Sequence, residues 1–462
     1  RDPSRIAEVL NRVIEKAIRG SAPAQINVPR DYWTQVIDIE LPPIVRLERQ
    51  AGGASAIEEA AKLLSDAKFP VILSGAGVVI GGAIEDCIKL AEKLDSPVCS
   101  GYQHNDSFPG SHPLAVGPLG YNGSKAAMEL ISKADVVLAL GTRLNPFSTL
   151  PGYGIDYWPK NAKIIQVDLN SDRIGLTKKV TVGICGDAKL VAQQILSKLS
   201  PKAGDIDRQK RKDLIHQTKS AWLQKLSSLD HEDDDPGTVW NKEARDRDKD
   251  RMSPRQAWRA IQAGMPQDVI ISSDIGNNCA IGNAYPTFEK GRKYLAPGLF
   301  GPCGYGFPSI LGAKIGCPDT PVIGFAGDGA FGISMNEMSS CAREEWPAIS
   351  MVIFRNYQWG AEKRNTTLWF DNNFIGTELD PELSYAKVAN ACGLKGVTVK
   401  TMEETTKAIK QSCEDQKKGI TTFIEVILNQ ELGEPFRRDA MKKPVRVAGI
   451  KKEDMKPQKG LN

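Results

Sequence analysis

Residues 321–332 read PVIGFAGDGAFG. The apolar run Val322–Ala326 predicts a short strand buried on both faces. Asp328 then stands between two glycines at the strand's carboxyl end. A buried carboxylate needs a partner, because desolvating it alone is costly. In an open α/β sheet, the ground beyond the carboxyl ends of the strands is also where ligands bind.

The next strand, Ile349–Phe354 (ISMVIF), runs into Arg355-Asn356-Tyr357-Gln358. Gly329 and Arg355 are separated by 25 residues, enough for one helix and a return strand. That spacing predicts Asp328 and Asn356 side by side at neighbouring strand tips. A carboxylate, an amide oxygen and a nearby backbone carbonyl form a hard oxygen set that suits Mg²⁺ rather than zinc. Gly329, Ala330 and Phe331 open the following helix, so their N–H groups can face a phosphate. The stretch therefore reads as Mg²⁺ bridging a diphosphate to the protein. From the residues alone, a plain turn at Gly327-Asp328-Gly329 stays open as the alternative.

Around this stretch the chain alternates between helix and strand. Phe69–Leu73, Asp135–Leu140 and Ile164–Asp168 predict strands, with helices at Ala56–Leu64, Ile84–Leu94 and about 187–199. The alternation resumes after Pro254 with strands Val269–Ser272, Val397–Val399 and Phe423–Leu428, and helices Ala257–Ala263, Ile310–Ile315, Met335–Arg343 and Tyr385–Ala391. Short apolar strands separated by helices imply parallel sheets covered on both faces. Residues 1–35 read as a helix (Ile6 to Ala17) and a strand (Pro23–Pro29), too little to bury a core. We read them as the end of a domain whose earlier part precedes Arg1, in a chain truncated at its N-terminus. Residues 36–54 read as a linker and 201–252 as a charged linker, where HEDDDPG (231–237) is a solvated turn rather than a metal site.

Composition narrows the class. At 462 residues, two or three domains are expected. A net charge of +4 gives no case for nucleic acid. No apolar run approaches the roughly 20 residues that span a bilayer, and the charged helical start RDPSRIAEVLNRVIEKAIRG is unlike a signal peptide. Nine cysteines form no CxxC pair, which fits free thiols in the cytoplasm. With four histidines and no HExxH, zinc is not expected.

The pair of signals, GDG and then an Asn-containing strand end, resembles the diphosphate motif of the thiamine-diphosphate (ThDP) enzymes of the acetolactate synthase and pyruvate oxidase type. The resemblance implies ThDP and Mg²⁺ as cofactors, with metal ligands Asp328, Asn356 and the backbone carbonyl of Gln358. Cofactor contacts would come from Gly327, Asp328, Gly329, Ala330, Asn356 and Gln358. The family motif ends in Asn-Asn; here Arg355 takes the first position and puts a cation near the cofactor. Gly301–Pro308 (GPCGYGFP) resembles the glycine-rich turn that touches the thiazolium, so Cys303 matches the residue that props the cofactor, though a buried structural thiol also fits. Ser273–Asn278 matches a loop approaching the diphosphate through Gly276, Asn277 and Asn278, and reads otherwise as an N-cap turn.

The resemblance covers the whole chain. It implies an α/β fold of two doubly wound parallel-sheet domains, central (55–200) and diphosphate-binding (253–430). Residues 1–35 would be the remnant of a third, pyrimidine-binding domain, and 431–462 a C-terminal arm. GTRL (141–144) and QVDLN (166–170) resemble central-domain strand ends. Some relatives hold FAD there. Gly75-Ala76-Gly77-Val78-Val79-Ile80 lacks the third glycine of a dinucleotide loop, so no FAD is expected.

Three stretches, 294–308, 354–369 and 429–445, narrow the resemblance to the family's acyltransferases of sulfonate breakdown. The reaction implied turns sulfoacetaldehyde and phosphate into acetyl phosphate and sulfite. Both reactants are anions, so fixed cations are expected at the site: Arg355, Lys363, Arg364, Arg437 and Arg438. Lys363 and Arg364 also read as an exposed helix face, and Arg437-Arg438 as a solvated tail. His104 reads as a loop residue. The family's activating glutamate belongs to the pyrimidine domain and is expected before Arg1, so no catalytic base is assigned and the fragment alone is expected to be inactive. The family's sites lie between subunits, which implies a homodimer or homotetramer. The alternatives are an acetolactate-synthase-type carboligase acting on 2-keto acids and a non-catalytic subunit of the same fold.

Overall fold

In a computed structural model, twelve strands among the described residues pair into two six-stranded sheets, every ladder between them parallel. The structure describes residues 2–20, 22–43, 48–200, 206–229, 248, 250–298, 300–343, 345–369 and 373–431. The first sheet contains β1 (Pro70–Ser74), β2 (Val98–Ser100), β3 (Ala115–Pro118), β4 (Val136–Leu140), β5 (Lys163–Asp168) and β6 (Val182–Cys185), in the order β3-β2-β1-β4-β5-β6. The second contains β7 (Ile270–Ser273), β8 (Tyr294–Leu295), β9 (Val322–Gly327), β10 (Ser350–Arg355), β11 (Lys395–Val399) and β12 (Thr422–Ile427), in the order β11-β12-β10-β9-β7-β8. From β7 the chain goes to one side for β8 and to the other for β9. The tips of β7 and β9 therefore flank a topological switch point, where doubly wound sheets bind ligands.

Aromatic packing fixes the second sheet between its helices. On one face Trp258, from the helix Pro254–Gly264, lies 4.7 Å from the ring of Phe325 and 5.4 Å from that of Phe354. On the other, Phe331 meets Phe307 and Phe423 at 5.5 and 5.9 Å. The helix Pro254–Gly264 starts on a capping box between Ser253 and Gln256. It ends at Gly264, where a Cβ would lie 2.8 Å from the Thr406 carbonyl oxygen, so the helix Met402–Lys417 packs unusually close.

Several expectations need correction. Pro23–Pro29 is irregular rather than a strand: among the described residues it has no ladder to complete, and a lone strand leaves its backbone groups unpaired. Met335–Arg343 is a 3₁₀ turn at Met335–Glu337 followed by a short helix at Met338–Cys341. The charged stretch read as linker is helical over Ile206–Leu229. Ile215, Trp222 and Leu226 of that helix are buried. Arg211 donates from its three guanidinium nitrogens to the carbonyls of Lys68, Leu94 and Asp95, at 2.6, 2.7 and 3.0 Å. HEDDDPG lies outside the described residues. No described helix is long and apolar enough to cross a membrane.

Candidate functional site

β9 and β10 pair with Phe354 opposite Gly327, so Asp328, just beyond β9, stands level with Arg355, the last residue of β10. The Asp328 carboxylate accepts at Oδ1 from its neighbour Gly329 N–H (2.9 Å) and at Oδ2 from Tyr357 N–H (2.7 Å) and Arg355 Nη1 (3.1 Å). Asp328 and Arg355 side chains are each only 1% exposed. Burial pushes the Asp328 pKa up to about 6, against the pull of Arg355 and the two N–H groups. A carboxylate offers about four lone-pair positions. Three donors are present, which leaves a position on Oδ1 for a cation.

Asn356 follows directly and is buried. Its side chain converges with those of Asn277 and Gln358 on Gly360. A Cβ added at Gly360 would meet Asn277 Nδ2 at 3.5 Å, Gln358 Nε2 at 3.6 Å and Asn356 Nδ2 at 3.7 Å. Asn277 Nδ2 and Gln358 Oε1 of this cluster, and Asn278 Oδ1 of the next residue along the chain from Asn277, are buried without a hydrogen-bond partner. Orphaned polar atoms of that kind point to a bound ion, water or ligand. Charge points the same way. Asp328 and Glu425 are both buried beside a single guanidinium, Arg355, whose Nε lies 3.8 Å from Glu425 Oε1. A divalent cation would balance the local surplus of negative charge. The residues present thus fit a Mg²⁺–diphosphate group.

The walls are equally specific. Asp274, at the tip of β7, accepts from the N–H groups of Ile275 (2.8 Å), Gly304 (3.1 Å) and Gly306 (2.7 Å), and so pins the glycine-rich turn to the sheet. A Cβ at Gly306 would lie 2.7 Å from the Phe325 carbonyl oxygen, so only glycine allows that approach. Cys303 sits half-buried in this turn, its thiol pKa raised by burial. Gly276 has φ +125°, open to glycine alone, and its neighbour Asn277 accepts from the Tyr121 hydroxyl (3.0 Å), a contact from the first-sheet half of the chain.

"Thiamine pyrophosphate enzyme, central domain" matches residues 57–195, and "Thiamine pyrophosphate enzyme, C-terminal TPP binding domain" matches residues 274–426. A "probable sulfoacetaldehyde acetyltransferase" of Rhizobium meliloti (strain 1021) is 79% identical over 461 residues, covering 100% of this chain and 78% of that protein. The chain belongs to the thiamine pyrophosphate enzyme family, with the sulfoacetaldehyde acetyltransferases. The sulfoacetaldehyde acetyltransferase of Roseovarius nubinhibens is 73% identical to this thiamine pyrophosphate enzyme, over 99% of the chain and 76% of its own. Among solved structures, a ThDP-dependent 4-hydroxybenzoylformate decarboxylase of Rhodococcus jostii RHA1 superposes with a TM-score of 0.70. It is 22% identical, covers 93% of this chain and 75% of its own, and supports the fold alone.

The structure of this thiamine pyrophosphate enzyme revises the expected cations. Arg355 is buried, and besides Asp328 its guanidinium donates to the carbonyls of Asp380 and Leu383. Both of its outer nitrogens are taken up by protein acceptors. Lys363 is not on an exposed face either: it is buried, paired with Glu378 and 3.4 Å from Gln430 Oε1. Arg437 and Arg438, and the side chain of Arg364, lie outside the described residues. His104 lines a separate cavity of about 730 Å³, with Arg143, Asp168 and Arg173, at the carboxyl ends of the first sheet. None of residues 328, 355, 356 or 358 lines that cavity. Sequence reasoning missed the roles of Glu425, Tyr385 and Asp274. Glu425 had a legible signal, a single carboxylate inside the apolar strand FIEVIL.

Proposed function

We propose that this protein is a ThDP-dependent sulfoacetaldehyde acetyltransferase that converts sulfoacetaldehyde and phosphate into acetyl phosphate and sulfite. The observation that carries this reading is 79% identity, over 100% of this chain and 78% of the relative, with a protein described as a probable sulfoacetaldehyde acetyltransferase. The strand-tip site supports it chemically. Mg²⁺ would be held by Asp328, Asn356 and the Gln358 carbonyl, and would neutralise charge that burial leaves uncompensated. The diphosphate would face Gly276, Asn277 and Asn278 and the Ala330 N–H, with Gly327 and Gly329 giving room at the strand end while the Gly329 N–H stays on Asp328 Oδ1. When bound, ThDP supplies carbanion chemistry at the aldehyde carbon. The chain's own part is to orient the coenzyme through Asp274 and the Cys303 turn, and to keep the buried metal ligands in place.

Phosphate and sulfonate need cations, and with Arg355 and Lys363 turned to protein carboxylates, we assign that role to Arg364, Arg437 and Arg438. We read residues 1–35 as part of a pyrimidine-binding domain, 55–200 as the central domain and 253–430 as the coenzyme domain. A cytoplasmic homo-oligomer acting in taurine and organosulfonate breakdown completes the reading, and the nine free thiols suit a reducing compartment.

The test is product analysis of the intact protein with ThDP and Mg²⁺, supplied in one assay with sulfoacetaldehyde and phosphate and in a second with pyruvate. Sulfite and acetyl phosphate in equal amounts are expected. Their absence, with CO₂ and an acetohydroxy acid formed from pyruvate, would assign it to the carboligases instead.

A further inference from the structure

Arg355 ends an apolar strand, yet its side chain is among the most buried in the molecule. Its two outer nitrogens divide their work. Nη1 donates to Asp328 Oδ2 at 3.1 Å. Nη2 donates to the carbonyl of Leu383 at 2.9 Å and to that of Asp380. The guanidinium lies over the ring of Tyr357, 4.2 Å from its centre, a geometry that favours a planar cation. A closed loop of contacts completes the arrangement. Glu425 accepts from Ser384 Oγ (2.6 Å), Tyr385 N–H (3.1 Å) and Thr398 Oγ1 (3.1 Å) while facing Arg355 Nε. The Tyr385 hydroxyl returns to the Asp328 carbonyl at 2.8 Å. Beyond it, the 377–379 stretch is tied to the loop bearing Gln358, through Trp359 N–H to Thr377 (2.8 Å) and Leu379 N–H to Tyr357 (3.0 Å).

We propose that Arg355 is a positioning residue: it holds the Asp328 carboxylate and the 380–385 segment as one unit, so that the metal ligand and the segment beside it are ordered together. This rests on the reading of Asp328 as a ligand of Mg²⁺. A fork with two donor arms is needed, because one arm must reach a carboxylate and the other a pair of carbonyls. Lysine, a point charge with no fork, would keep the charge and lose the simultaneous grip.

The test compares wild type, R355M and R355K as intact proteins. ThDP is titrated calorimetrically in the presence of Mg²⁺, and the phosphate KM is measured at saturating cofactor. The expected result is a cofactor affinity roughly 10–100-fold weaker in R355M, as for loss of a partner behind a metal ligand. R355K should fall between, and the phosphate KM should stay within about two-fold. Unchanged cofactor affinity in R355M, or a raised phosphate KM with cofactor affinity intact, would overturn the proposal. If wild type itself binds no ThDP with Mg²⁺, the cofactor reading fails and the proposal falls with it. Should R355M not fold, hydrogen exchange on wild type decides. The amides of 380 and 382–385 should exchange more slowly once Mg²⁺ and ThDP are added, and equal exchange would contradict the coupling.

Discussion

Trp359 lies so close against Gly329 that a Cβ there would sit 2.8 Å from the indole Cδ2. Glycine at 329, whose backbone is helical, is therefore demanded by its neighbour. In G329A the indole must shift, and it would drag the loop that carries Gln358. We expect a lower melting temperature and roughly ten-fold weaker ThDP binding, as for a displaced metal-supporting group. Calorimetric titration and thermal unfolding check both, and a variant matching wild type in both would contradict the packing argument.

Gly360 offers the complementary test. A Cβ there makes only ordinary contacts, 3.5–3.7 Å, with the three amides of the site. G360A should fold as wild type does, with a melting temperature unchanged within about 2 °C, since no overlap or cavity is created. It should nevertheless bind ThDP and Mg²⁺ more weakly, because the methyl fills the cradle. Normal affinity would show that the orphaned amides face no ligand.

The buried Asp328 carboxyl makes a prediction about pH. Its folded pKa of about 6 lies above the value of about 3.9 for an unfolded aspartate. Between those values the native state keeps a proton that the unfolded chain has lost, so the stability of the cofactor-free protein falls as pH rises from about 4 to 6 and is level thereafter. The size is on the order of 2–3 kcal/mol. Asp106, Asp168 and Asp274 are also shifted upward by burial. Denaturant melts must therefore compare wild type with D328N, in which the part of the slope due to residue 328 disappears. Identical slopes would contradict the assignment.

Glu425 balances Arg355 from behind. E425Q leaves Arg355 paired with Asp328 but disturbs the charge-assisted hydrogen bonds from Ser384, Tyr385 N–H and Thr398, a loss of about 1–3 kcal/mol. Urea unfolding measures it, and stability unchanged from wild type would mean that these bonds do not depend on the Glu425 charge.

The strands that carry the site were legible because they are long and apolar: β9, β10 and β12 each run six residues with almost no polar interruption. β2 and β8 are three and two residues long, below what pattern can distinguish, and β3 contains Gly117 and Pro118. The helix Ile206–Leu229 hid behind its charge, though the spacing of Ile215, Trp222 and Leu226 is helical. The neighbourhood of Asp328 and Asn356 followed from one crossover length. Arg355 did not: a cation at a strand end faces substrate or protein depending on Glu425 and the Asp380–Leu383 turn, which are distant in sequence.

The most direct test of the central claim is a crystal structure of the intact protein with ThDP and Mn²⁺ in place of Mg²⁺, the metal located by its anomalous scattering. The expected result is one peak within bonding distance of Asp328 Oδ1, the Asn356 side-chain oxygen and the Gln358 carbonyl, with Arg355 still on Oδ2. A metal bound elsewhere, or ThDP bound with these three groups turned away from it, would contradict the claim.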